Sequence, residues 1–150
     1  MSVSSLSAAR LVCELRDWKV TNLELQKILY IAHMIHLGAK GKPLISENFE
    51  AWDYGPVVPD LYQHVKGFGA NPVRNVFHSV DLPDNASSEY DFIKKTVDAL
   101  AEAKSSQLVA FTHREGSAWS KVYSVHRRGL VISEQLILDE YHDWKEQRRQ

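Results

Sequence analysis

A chain of 150 residues and 17.1 kDa has the size of one domain, and 44% hydrophobic with 25% charged residues is a globular composition that excludes a disordered or fibrous chain. A formal net charge of -1 and a pI near 6.6 supply no global field for nucleic acid or an anionic membrane, so neither is an expected partner. The single cysteine, Cys13, cannot close an internal disulfide, and the serine-rich start carries no basic, apolar leader pattern, which together point to the cytoplasm.

In chain order, Leu6, Ala9, Val12, Cys13 and Leu15 predict a helix over about Ser4 to Trp18. Thr21-Asn22-Leu23-Glu24 reads as a capping box, since the threonine oxygen accepts from the amide three residues on while the glutamate reaches back. The helix it starts carries Leu25, Ile28, Leu29, Ala32, Ile35 and His36 on one face and runs out at Gly38 and Gly41, before Pro43. Leu44-Ile45 and Phe49 to Tyr54 then predict a small two-stranded element turning at Ser46-Glu47-Asn48.

Within that element Phe49, Ala51 and Asp53 alternate with Glu50, Trp52 and Tyr54; Gly55-Pro56 is expected to break the strand, and Pro59 to open a short helix through Lys66. Residues 67 to 87, with Gly69, Pro72 and Pro83, predict a long loop with one extended piece near Val73 to Phe77. Further helices are expected from Ser88 to Lys104, from Ser106 to His113 and from Trp119 to Tyr123. A last one, capped by Ser133, turns Leu136, Ile137, Tyr141 and Trp144 inward. The sum is a mainly α fold: a single compact helical domain over residues 1–150, with a small two-stranded element near residues 44–54.

Catalytic and cofactor chemistry finds little support. His33 and His36 share a helix face but lack a third ligand at metal spacing, Gly67-Phe68-Gly69 is not a phosphate loop, and Cys13 sits in an apolar helical pattern. No cofactor or metal is expected, and an enzyme would have to rest on His113 with Glu115 or Glu50. What stands out instead is a concentration of large amphipathic aromatics: Trp52, Tyr54 and Tyr62 around the Pro-rich turn, then Trp119 and Tyr123. Such residues either fill a small core or form hot spots for a protein partner.

Leu25-Gln26-Lys27-Ile28-Leu29-Tyr30, the F-E-A-W-D-Y-G-P-V-V-P-D-L-Y block at 49 to 62, Leu108, F-T-H at 111 to 113 and S-A-W at 117 to 119 together resemble the Panacea antitoxin domain, the SocA-like or GepA-like family. One departure is Ala118, where a proline is frequent before the tryptophan. The resemblance implies a helical, non-enzymatic antitoxin that neutralises a cognate protein toxin by direct contact. It also implies an alternative, a proteolytic adaptor that delivers its toxin to the ClpXP protease, with ClpX as a second partner.

The family pairs with many toxin classes, alarmone synthetases among them. Some members add a DNA-binding segment, for which this sequence leaves no helix-turn-helix. Glu50, Trp52, Asp53, Tyr54 and Tyr62 are accordingly the expected partner-binding residues, and Gly55, Pro56, Pro59, Thr112, His113 and Trp119 the expected structural motif.

Overall fold

The structure is a computed structural model that describes residues 2–149. Its centre is α2 (Asn22–Lys40), opened by the capping box: the Glu24 amide donates to Thr21 Oγ1 at 3.2 Å while the Thr21 amide donates to Glu24 Oε1 at 2.9 Å. Leu25, Ile28, Leu29 and Ala32 are fully buried, and the burial extends around most of the helix because neighbours cover several sides of it. Those neighbours are α1 (Ser5–Leu15), α4 (Ser88–Ala99), α5 (Ser105–His113) and α7 (Glu134–Arg148). The shorter α3 (Pro59–Val65) and α6 (Ala118–Val122) complete the helical set among the described residues, with one 3-10 turn at Lys66–Phe68.

Local chemistry accounts for most of the ends. Ser4, Ser87, Ser117 and Ser133 accept from the amides of Ser7, Tyr90, Ser120 and Leu136, which satisfies one orphan donor at the start of α1, α4, α6 and α7. The first helix is shorter than the sequence predicts, because Asp17 and Trp18 take positive φ and turn the chain out of the helix. Helix α2 passes through Gly38 and stops with Gly41 in the left-handed conformation. A Cβ on Gly38 would run into the Tyr141 ring, so this glycine is what lets α7 lie close against α2. Helix α4 also ends early, at Ala99.

The strand pairing differs from the expectation. Leu44-Ile45 does not pair with the 49–54 strand; Ile45 bridges Val3 in parallel, fixed by the Val3 amide to Leu44 carbonyl and Ser46 amide to Val3 carbonyl bonds, both 2.8 Å. Strand β1 (Phe49–Trp52) instead pairs antiparallel with β2 (Gly55–Val57), with Ala51 opposite Pro56 and Trp52 opposite Gly55. Gly55-Pro56 therefore starts a strand and does not break one. Gly55 at φ 117 lets the chain reverse across Asp53-Tyr54, and Pro56 is tolerated because β2 is an edge strand. On the other side β1 pairs antiparallel with β3 (Leu130–Ile132), giving the order β2-β1-β3.

Residues 69–87 form no helix or strand, yet they are pinned: Val73 and Phe77 are buried, the Val73 amide donates to the Val20 carbonyl, and Arg10 donates to the Val80 carbonyl at 2.7 Å.

Candidate functional site

The polar residues of α2 are the first unusual feature. Gln26, Lys27, Tyr30, His33 and His36 lie among fully apolar neighbours, and all five are buried. Burial of a polar group is costly unless it is paired, and each of these is paired with a different part of the chain. Gln26 Oε1 accepts from the Val58 amide at 3.0 Å, fixing the connection from β2 to α3. Lys27 Nζ donates to the Pro56 carbonyl at 3.2 Å, fixing the edge strand.

Tyr30 donates to Glu140 Oε1 on α7 at 2.5 Å. His33 takes the Ile45 amide on Nδ1 and meets Glu134 through Nε2, both at 3.1 Å, and His36 donates from Nδ1 to the Lys42 carbonyl at 2.8 Å.

Glu140 is the hub of the second half of this network. It is buried on α7, and besides Tyr30 it accepts from Arg114 Nη1 at 2.7 Å and from the Ala118 amide at 3.1 Å. Arg114 also donates to the Phe111 carbonyl and lies 4.0 Å above the Phe111 ring. One carboxyl group thus joins α2, the α5–α6 turn and α7.

The hairpin residues are placed as follows. Trp52 is half-buried, packs edge-on against Tyr62 with ring centroids 4.8 Å apart, and donates from Nε1 to Glu50 Oε1 at 3.0 Å. Asp53 accepts from the Tyr123 hydroxyl at 2.6 Å. Tyr54, at the tip, is 71% exposed. Beneath them His113, Trp119 and Tyr123 form a continuous stack, with centroids 3.8 and 4.6 Å apart, and Trp119 Nε1 donates to the Trp52 carbonyl at 2.7 Å. Glu50, Trp52, Asp53, Tyr123 and Arg128 line a cavity of about 300 Å³ beside the hairpin.

The remaining motif residues converge on Lys27. A Cβ on Gly55 would stand 2.7 Å from Lys27 Cε and 3.2 Å from Thr112 Oγ1, so only glycine fits between the strand and the two helices. Thr112 is buried and donates to the Leu108 and Val109 carbonyls, and Pro59 occupies the first turn of α3.

Burial pulls the Lys27 ammonium down to about 7. It also lowers His113, which hydrogen-bonds the Tyr54 backbone and feels the Lys27 charge; its Nε2 is buried without a hydrogen-bond partner. Burial raises the Tyr30 hydroxyl, and the Glu140 charge adds to that, so the phenol keeps its proton.

Cys13 is buried and its thiol is pushed up to about 12, first by burial and then by Glu14, which leaves no thiolate to act as a nucleophile. Among the described residues no group of three or more His, Cys, Asp or Glu is placed to hold a metal ion. Among them also, no helix is long and apolar enough to cross a membrane.

Gln26, Lys27 and Tyr30 belong to a recognised block without being singled out from the sequence as sites; the signal for them is polar side chains on the inward positions of a buried helix. Arg114 and Glu140 carry no such signal.

The family model "Antitoxin SocA-like, Panacea domain" matches residues 25–120, from the first buried leucine of α2 into α6. Over 138 residues the chain is 30% identical to "Antitoxin SocA" of Caulobacter vibrioides (strain NA1000 / CB15N), covering 83% of this chain and 73% of that protein. No solved structure matches. The buried polar residues of α2, Gly55, His113 and Trp119 fall within the matched segment, while Tyr123, Glu134 and Glu140, which complete the stack and two of the clamps, lie beyond it; the chain belongs to the SocA-like antitoxin family with a Panacea domain.

Proposed function

We propose that this chain is the antitoxin of a two-protein system and that it neutralises a cognate protein toxin in the cytoplasm by direct, non-catalytic contact. The observation that carries the reading is the similarity to an antitoxin across 83% of the chain. A non-catalytic mode is supported by the chemistry of the hairpin region, whose aromatic and charged groups are bonded to one another and not aimed at a reacting centre. Of the expected partner-binding residues, Tyr54 is assigned to a toxin contact. Glu50, Trp52, Asp53 and Tyr62 hold the tip in place beneath it.

The test is co-expression with the product of the adjacent gene, in cells with and without ClpXP, followed by co-purification. Growth rescue that persists without the protease, together with a stable complex, is the expected result. Rescue that disappears with the protease identifies the adaptor alternative, and a harmless neighbour removes the antitoxin reading. Rescue by His113→Gln at full strength is expected, since the reading gives that imidazole no proton to move.

A further inference from the structure

An apolar trough of about 560 Å³ lies on the helical side of the molecule. Its lining includes Ile31 and Ile35 of α2, Leu100 just past the end of α4, Phe111 of α5, and Trp144 of α7. Two charged side chains complete it, from different elements: Glu102 from the turn after α4, and Arg148 from the last turn of α7, where its guanidinium lies 4.8 Å over the Trp144 ring. Among the described residues neither forms an ion pair within the chain.

We infer that this trough is the principal seat of the toxin, and that it takes an apolar helical segment carrying an acidic residue for Arg148 and a basic one for Glu102. The inference rests on the antitoxin reading and adds the surface and the chemistry of the partner.

Three observations support that occupant. The composition matches an interface anchor: an arginine stacked on a tryptophan, residue types that concentrate binding energy in protein interfaces, beside a phenylalanine and branched aliphatic side chains that exclude water. The shape is an open trough between helices, which receives one face of an amphipathic helix, with side chains three and four apart entering together. The charges carry one sign each on two elements, which selects a partner with opposite charges in a fixed orientation and penalises the reverse one. In addition, Trp144 and Arg148 lie outside residues 25–120, so part of the trough comes from chain beyond the shared segment, where specificity for one toxin has room to differ.

The test uses the toxin encoded beside this gene and two substitutions at exposed positions of the trough, Ala99→Arg and Arg148→Glu. Neither changes a buried side chain: Ala99→Arg should leave the melting temperature unchanged, and Arg148→Glu, which gives up the Trp144 contact and reverses a charge in the last turn of α7, should lower it only slightly. Ala99→Arg places a long charged side chain in the trough, and the toxin dissociation constant should rise at least tenfold, with loss of growth rescue. Arg148→Glu should weaken binding several-fold, more strongly at low salt.

Unsubstituted affinity in both variants overturns the trough as the seat while leaving the antitoxin reading intact. Absence of rescue by the unsubstituted chain overturns both. If Ala99→Arg converts a sedimenting dimer of the free chain into a monomer, the trough belongs to a second copy and the inference is also overturned.

Discussion

The hairpin side and the trough side of this molecule use similar residue types for opposite ends. Around the hairpin, tryptophan, tyrosine, lysine and glutamate are bonded to one another: Trp119 to the Trp52 backbone, Tyr123 to Asp53, Lys27 to the Pro56 carbonyl and Tyr30 to Glu140. Along the trough, Phe111, Trp144, Arg148 and Glu102 border open space. A dense aromatic motif is therefore a poor guide to an interface by itself, because one whose groups are bonded within the chain, His113 Nε2 excepted, holds the fold, and one that borders open space is available to a partner.

The sharpest way to break the hairpin half of this contrast is Gly55→Ala. The residue sits at φ 117 with its missing Cβ 2.7 Å from Lys27 Cε, so both backbone strain and overlap with a buried side chain oppose the substitution. A loss of roughly 3 kcal/mol in denaturant unfolding is expected. Glu140→Gln comes next: it replaces a charged acceptor that serves Tyr30, Arg114 and the Ala118 amide by a neutral group with one acceptor oxygen, and should cost about 2 kcal/mol.

Lys27→Met tests a subtler point. The folded-state value of about 7 lies below the ordinary 10.5, so the unfolded chain holds more protons between those two values and the stability contributed by this group rises as pH climbs from about 7 to about 10.5. Methionine should flatten that rise in melts taken across the window, and at pH 7 it should be neutral or stabilising by about 1 kcal/mol, the lost Pro56 bond being offset by the removed cost of burying the amine. The smallest effect belongs to Tyr54→Ala. With the residue 71% exposed, stability should change by under about 0.5 kcal/mol, and toxin affinity, as for a peripheral contact, by a few-fold at most.

Much of the helical frame was legible because its signals are local. Thr21 with Glu24, Ser133 before the last helix and Pro59 at the first turn of α3 each act within one turn of themselves. The sheet was misread for the opposite reason. Gly55-Pro56 looks like a stop in one dimension and becomes an edge-strand start once β1 lies beside it.

β3 is three residues whose partner lies some eighty positions earlier. Ile45 finds Val3 because α1 and α2 bring them together. The clamps were hidden similarly: Tyr30 and Glu140 are 110 residues apart, and neither residue names the other.

Hydrogen–deuterium exchange of the free chain against the toxin complex separates a scaffold role for the signature region from a toxin seat in the helical trough. New protection should concentrate in residues 96–111 and 141–149, with the 49–62 hairpin changing little beyond the Tyr54 tip. Protection centred on 49–62, with the trough segments exchanging as in the free chain, would contradict both assignments.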